Sequence, residues 1–277
     1  MVVGPVITSR DARDGELDVS LLERLFRRDL YSRPESNTSI HHRPSYPTPS
    51  PDSQPCTHLV RNYRSMSSIL MVPAALFYND TLIASATDVK LIQWSGLPNP
   101  RIPILFQGCE TEEAWIDEGA SWYNTGEIAS IADIILSLRA ERPDIKEEEI
   151  AVITPWKEQV WRLRTQLRNL GLRGVDVGHV EAYQGAEFRV TILSCVRSSK
   201  RFLNMDREAN MGLYNEPKRF NVAITRAKEL LIVVGNANLL KGDPFWNGFL
   251  QVMLRNGLYK GPEVRMEMTG AYISRIE

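Results

Sequence analysis

Between residues 58 and 234 the chain alternates short runs dominated by apolar residues with longer stretches in which apolar side chains recur every three or four residues. The runs are His58 to Val60, Ile102 to Phe106, Ile150 to Thr154, Val175 to Val180, Val190 to Val196 and Leu230 to Val234. A strand with one face in water alternates polar and apolar residues, whereas one that is apolar throughout has both faces covered. That is the condition of a parallel sheet packed between helices. Helices are expected in the intervening stretches. Ile128, Ile131, Ala132, Ile135 and Leu138 fall on one helical face, and Trp156, Val160, Leu163, Leu167 and Leu170 on another. The expected fold class is α/β, a parallel β-sheet sandwiched by helices. An earlier helix is expected from Ser20, which has capping-box spacing to Glu23, with Leu22, Leu25, Phe26 and Leu30 on one face.

The remaining chain sets boundaries. Residues 32–55 turn to Ser, Pro, Asn and His, a composition that buries too little apolar surface to offset ordering entropy, and are expected to be a disordered insertion. Flexible linkers of this kind outnumber polyproline ligands, the alternative use of its prolines. Residues 259–277 sustain neither helical nor strand period and are expected to be a loose tail. Lys and Arg total 33 against 34 Asp and Glu, so the net charge is −1 and a global basic field is excluded. Nucleic acid, if bound, must be held by a local patch. Cys56, Cys109 and Cys195 form no CxxC pair and no zinc-like cluster, so reduced thiols and no metal site are expected. No apolar run is long enough to span a bilayer and no secretory signal opens the chain, so no membrane partner is expected and the location expected is cytoplasmic.

Parallel sheets bind ligands at the C-terminal ends of their strands, but neither a Gly-x-x-x-x-Gly-Lys-Ser/Thr loop nor a Gly-x-Gly-x-x-Gly turn occurs. Autonomous nucleotide binding therefore lacks its usual cradle. The tetrad Asp117-Glu118-Gly119-Ala120 has the look of a magnesium site, but it closes an acidic run with Glu110, Glu112 and Glu113, for which a solvated face is the favoured reading. On the helix after Trp156, Lys157, Trp161, Arg164 and Arg168 form a stripe beside the apolar seam. It reads as a solvated face or, less often, as a nucleic-acid or partner surface.

Three ordered segments carry the strongest signal: Leu59 to Ser65 (LVRNYRS), His179 to Ser198 (HVEAYQGAEFRVTILSCVRS) and Arg219 to Asn236 (RFNVAITRAKELLIVVGN). With Ile153-Thr154-Pro155-Trp156 and Gln159, they resemble the motifs of the C-terminal RecA-like half of superfamily 1 helicases. The likeness is greatest to the Armitage-like RNA helicases related to the nonsense-decay helicase. Val3 to Ile7 resembles the end of that family's motif III. The resemblance implies a RecA-like P-loop NTPase fold in its second motor domain. It divides the chain into a motif III end and connecting helix (1–31), the insertion (32–55), the helicase C-terminal domain (56–258) and the tail (259–277). It further implies the C-terminal motor half of an ATP-dependent RNA helicase, with the phosphate loop and acidic magnesium motif on a first half outside this sequence and no ATPase activity of this chain alone.

Carried over residue by residue, the resemblance makes Arg226 the arginine finger and Arg64 a second γ-phosphate contact. Guanidinium suits both roles because its charge is permanent and its planar fork matches phosphate oxygens; surface salt-bridge arginines are the plain alternative. Gln184, Gly185 and Glu187 would line the nucleotide, with Arg64 and Arg226. Thr154, His179, Val180, Glu181 and Arg197 would contact RNA, although the family more often carries Ser or Thr where His179 stands. The implied cofactor is ATP with Mg2+, held mainly by the first half. The implied partners are single-stranded RNA or an RNA duplex, the N-terminal RecA-like half in cis or trans, and ribonucleoprotein or Argonaute-pathway proteins, in ribonucleoprotein granules of the cytoplasm. A non-catalytic RNA- or protein-binding module from a truncated helicase paralogue is the alternative.

Overall fold

The computed structural model describes residues 7, 9–28, 59–116, 121–209 and 211–266. The expected insertion at 32–55, the motif III residues 3–6 and the tetrad 117–120 lie outside them. The strands are β1 (Arg61–Asn62), β2 (Ile83–Ala84), β3 (Ile104–Gly108), β4 (Ala114–Ile116), β5 (Ser121–Tyr123), β6 (Ile150–Ile153), β7 (Asp176–Gly178), β8 (Phe188–Ser194), β9 (Ala227–Gly235) and β10 (Tyr259–Lys260). The helices are α1 (Arg10–Asp14), α2 (Leu21–Phe26), α3 (Ser67–Phe77), α4 (Thr125–Glu141), α5 (Lys157–Asn169), α6 (Leu203–Ala209), α7 (Pro217–Ile224), α8 (Ala237–Leu240) and α9 (Pro244–Arg255).

Six strands form one sheet in the order β10-β3-β9-β8-β6-β7, and every pairing in it is parallel. The end-to-end apolar character of its strands has a direct cause. Ala151, Ile153, Leu193, Leu231 and Val233 point into a core beneath α3, α7 and α9, where Phe220, Trp246 and Phe249 pack. Their neighbours Ile150, Val152, Ile192, Leu230 and Ile232 point into a second core, filled by Ile131, Ile135 and Leu138 of α4 and Leu163 and Leu167 of α5. Successive side chains of a strand face opposite sides, so both parities must be apolar here. The expected parallel α/β architecture is the one observed. Among the described residues no helix is long and apolar enough to cross a membrane.

Several local expectations differ from the structure. Residues 59–60 are not a strand; the neighbouring β1 pairs with β2 in a separate two-stranded sheet. Tyr259 and Lys260, in the segment expected to be loose, pair with Phe106 and Gln107 as the edge strand β10. Ser20 does cap α2 by accepting the Glu23 amide at 3.2 Å, yet Leu21, Leu22 and Leu25 stay exposed, and the helix meets the domain through the ion pair of Glu23 with Lys218. In the acidic run, Glu113 is buried rather than solvated: its carboxylate accepts the Ser198 amide at 2.9 Å and lies 3.6 Å from Arg197.

Candidate functional site

Two groups of the sequence-selected residues gather at opposite ends of the sheet. Arg64, Gln184, Gly185, Glu187 and Arg226 lie at the N-terminal ends of β8 and β9, whereas the general rule for parallel sheets favours the C-terminal ends. The chain reaches the N-terminal end through a tight loop. Val180–Tyr183 form a 3-10 turn, Gly185 takes φ +90°, a conformation that costs a side-chain-bearing residue strain, and Glu187 directly precedes β8. A β-carbon at Gly185 would meet open space, so the backbone angle is what favours glycine here.

The turn bearing Arg64 is stapled to the start of β9. Asn62 Oδ1 accepts the amides of Arg64 and Ser65 at 3.0 Å, Ser65 Oγ donates to the Ala227 carbonyl at 2.6 Å, and the Met66 amide donates to the Lys228 carbonyl at 3.0 Å. This brings Arg64 Nε to 3.0 Å from Glu187 Oε2 and its Nη1 to 3.2 Å from the Thr225 carbonyl. Lys228 Nζ holds the other Glu187 oxygen at 3.3 Å. The Arg64 hydrogen bond, aided by Lys228, holds the Glu187 carboxyl below the usual carboxylate range despite partial desolvation. Because Glu187 is 45% exposed, this pair is worth no more than about 1 kcal/mol.

Arg226 follows α7 and is nearly buried. Its Nε donates to the Val222 carbonyl at 2.9 Å, Nη1 to the Ala186 and Tyr183 carbonyls at 3.0 and 3.4 Å, and Nη2 to Thr225 Oγ1 at 3.0 Å. Burial, with the nearby Arg64 charge, lowers its pKa to about 10, so it stays cationic at neutral pH. Three cations thus surround one carboxylate at the mouth of a glycine turn, an arrangement that favours a polyanion. In this conformation the Arg226 fork is engaged by backbone carbonyls, and reaching an outside phosphate requires exchanging some of them.

The second group lies beyond the C-terminal ends of β6, β7 and β8. The Thr154 amide donates to the Gly178 carbonyl at 3.0 Å, joining the ends of β6 and β7. Thr154 Oγ1, Trp156 Nε1 and Ser198 Oγ are buried without a hydrogen-bond partner, an uncommon condition for polar atoms. His179 is half-buried, Val180 is wholly inside the core, and Glu181 accepts from Arg219 Nε at 2.7 Å. Arg197 is 2% exposed. Its fork rests on Asp206 at 2.6 and 2.5 Å, with the guanidinium 3.9 Å from the Trp122 ring and 4.7 Å from Trp156. Thr154, Val180 and Arg197, expected to touch RNA, therefore present almost no surface to a ligand, because the ends of β6, β7 and β8 are closed over by the packing around them.

The sequence motifs included Gln159 but missed the rest of the polar network that shapes this end. Glu127, fully buried, accepts from Ser194 Oγ at 2.6 Å and from the Val196 amide at 2.8 Å. Gln159 Nε2 donates to Ser194 Oγ at 2.9 Å, and its Oε1 accepts the Asn124 amide at 2.9 Å. Asn124 Nδ2 donates to the Val196 carbonyl at 3.1 Å, while its Oδ1 accepts the Glu127 amide and caps α4. Together they hold Val196 at φ +69°, where the chain leaves β8 toward Arg197. Burial pushes the Glu127 carboxyl up to about 8, against the opposing hydrogen bonds. The available signal was a carboxylate on an apolar helix face, four residues before Ile131.

Comparison with known proteins gives a consistent result. The family described as "AAA domain" matches residues 17–238. The chain is 38% identical over 267 residues to RNA helicase Mov10l1 of Homo sapiens, covering 94% of this chain and 21% of that protein. It is 30% identical over 273 residues to Probable RNA helicase armi of Drosophila melanogaster, covering 92% and 22%. It is also 30% identical over 256 residues to Regulator of nonsense transcripts 1 of Dictyostelium discoideum, covering 90% and 17%. The chain spans about a fifth of the length of these relatives.

Proposed function

This chain belongs to the AAA domain family, as the C-terminal region of a superfamily 1 helicase of the Armitage-like group, and on that premise we propose that it is the C-terminal motor half of an ATP-dependent RNA helicase. In this reading it supplies the arginine finger and part of the single-stranded RNA grip, working with a first RecA-like half that carries the phosphate loop and most of the Mg2+ coordination. The observation that carries the reading is that Arg64, from a segment more than a hundred residues away, meets both Glu187 and the Thr225 carbonyl, beside which Arg226 sits.

The cationic mouth fits a nucleoside triphosphate, which would add phosphoryl-transfer chemistry when bound between the halves. Arg226 would exchange its carbonyl partners for γ-phosphate oxygens, Arg64 would stay docked on Thr225 as a second contact, and Glu187 would accept from a sugar hydroxyl or orient Arg64. At the opposite end, the half-buried His179 would meet the RNA backbone, with Glu181 set by Arg219 and the buried Thr154 tying the end of β6 to that of β7. Ribonucleoprotein or Argonaute-pathway complexes are the proposed setting.

The test is RNA-stimulated ATP hydrolysis by the chain combined with a first RecA-like half. We expect no turnover by the chain alone, turnover by the mixture, and a loss of about 10³-fold or more in kcat for Arg226→Ala, with Arg226→Lys recovering little because one ammonium cannot replace the fork. Turnover by the mixture that survives Arg226→Ala would exclude the finger assignment.

A further inference from the structure

The cationic stripe on α5 has no role in the site described above, and its surroundings are specific. Lys157, Trp161, Arg164 and Arg168 follow one another by steps of four, three and four residues, so they share one face over about 16 Å of helix. The adjacent face, with Val160, Leu163 and Leu167, is buried in the core. All four stripe residues are exposed, Trp161 to 61%. Arg162, off this face, is the arginine of α5 that is neutralised: it pairs with Glu158 at 2.8 Å and lies 3.6 Å over the Tyr123 ring. Among the described residues no carboxylate makes a salt bridge to Lys157, Arg164, Arg168 or Arg173. Beyond the helix, Arg173 continues the stripe, and with Arg164 and Arg168 it lines a groove of about 270 Å³ along β7.

We propose that this face of α5, with Arg173, is a track for single-stranded RNA that extends the strand-end grip, Trp161 stacking on a base and the arginines following successive phosphates. The proposal rests on the reading that the chain grips RNA. Three features favour RNA over an acidic protein. A large exposed aromatic set among cations is the pattern by which unpaired bases and backbone are held together, without sequence preference. The track is continuous with the candidate grip, since α5 begins three residues after Thr154, whose amide is bonded to the end of β7. A peptide adding a strand to the outer edge of β7 would need the Val177 carbonyl, and Arg164 occupies it with Nε at 3.0 Å and Nη2 at 2.5 Å.

The experiment titrates the full chain with fluorescent oligo(U) of about 6 and about 15 nucleotides, lengths within the usual single-strand site sizes, at several salt concentrations. Trp161→Ala and the double variant Arg168→Glu/Arg173→Glu are measured beside it, with thermal unfolding of each. For the longer oligonucleotide we expect Trp161→Ala to weaken binding by about 5-fold or more, the value of one base stack. The double variant should lower the log–log salt slope by about 0.7 for each cation removed. The short oligonucleotide should bind all proteins alike. If charge reversal lowers the unfolding temperature, Trp161→Ala alone decides. Wild-type affinity and slope in the variants would overturn the track while leaving the strand-end grip intact, and would assign the stripe to an acidic protein. Equal weakening on both lengths would overturn the extension by placing α5 within the grip. No binding of either length by the unaltered chain would overturn the track and the RNA-grip reading together.

Discussion

Glu127 shows what one buried side chain contributes to a site it never touches. Its carboxyl has no exposure, and both oxygens are engaged by Ser194 and the Val196 amide at the point where β8 ends. Because burial raises its pKa to about 8 from 4.5, the folded protein holds a proton there that the unfolded chain releases. The sign follows from linkage: the stabilisation is complete below the unfolded value and is lost as pH rises through the folded one. We therefore expect the stability of the chain, measured by chemical denaturation against a Glu127→Gln reference, to fall between about pH 5 and pH 8. The glutamine is neutral throughout that window, so its own curve should lack this component. Parallel curves for the two proteins would show that Glu127 titrates near its ordinary value. A sequence reader sees only one more glutamate in the first turn of a helix. What makes it special is that α4 turns this position toward the strand end instead of solvent, and only the packed sheet determines that.

At the scale of elements, the strands of the main sheet were legible because burial on both faces writes itself into every residue. The run Ile150 to Ile153 admits almost no other environment. Two-residue strands leave no such trace: β1 and β10 exist because the chain passes beside β2 and β3, and no local pattern announces it. Of the candidate site, the arginines, the Gly185 turn and Gln159 were picked out by motif likeness, whereas Asn124 and Glu127 were not, because Asn124 precedes α4 as its cap and Glu127 sits on a face that reads as apolar helix. Helix caps are an intermediate case. Asp243, at 3% exposure, accepts the Phe245 and Trp246 amides at 2.9 and 3.0 Å and so starts α9, and its other oxygen accepts the Asn215 amide at 2.9 Å. One side chain thereby ties α9 to the loop that leads into α7. Asp243→Ala should cost about 1–3 kcal/mol in denaturant unfolding, the range for losing a cap and leaving buried amides without an acceptor. Asp243→Asn should cost less, since burial already raises the Asp243 pKa and an amide oxygen can replace part of the bonding. Equal losses for the two variants would mean that charge, not hydrogen bonding, holds the junction.

For the whole molecule, a net charge of −1 coexists with a cluster of cations, Arg64, Arg226 and Lys228, at one end of the sheet, while at the other end Arg197 is paired with Asp206. The end bearing Arg64 and Arg226 and the end bearing Thr154 and Arg197 are joined by β8, seven residues and about 23 Å of strand that begins next to Glu187 and finishes at Ser194. From Val190 to Leu193 this strand is paired on both sides, with a register irregularity against β9 only between Phe188 and Val190. A strand held in this way transmits position rather than changing shape, so ligands at the two ends would act on each other mainly through how they orient this domain against another body. The two sites should then be separable by mutation and coupled only in the assembly. In analytical ultracentrifugation with a first RecA-like half, a non-hydrolysable ATP analogue and single-stranded RNA should each strengthen association. Arg226→Ala should abolish the nucleotide effect and leave the RNA effect within about twofold. The proposed stacking and phosphate contacts at the far end would not depend on the proposed finger, so loss of both effects in that one variant would mean that the sheet carries a conformational change between its ends, contrary to the rigid reading.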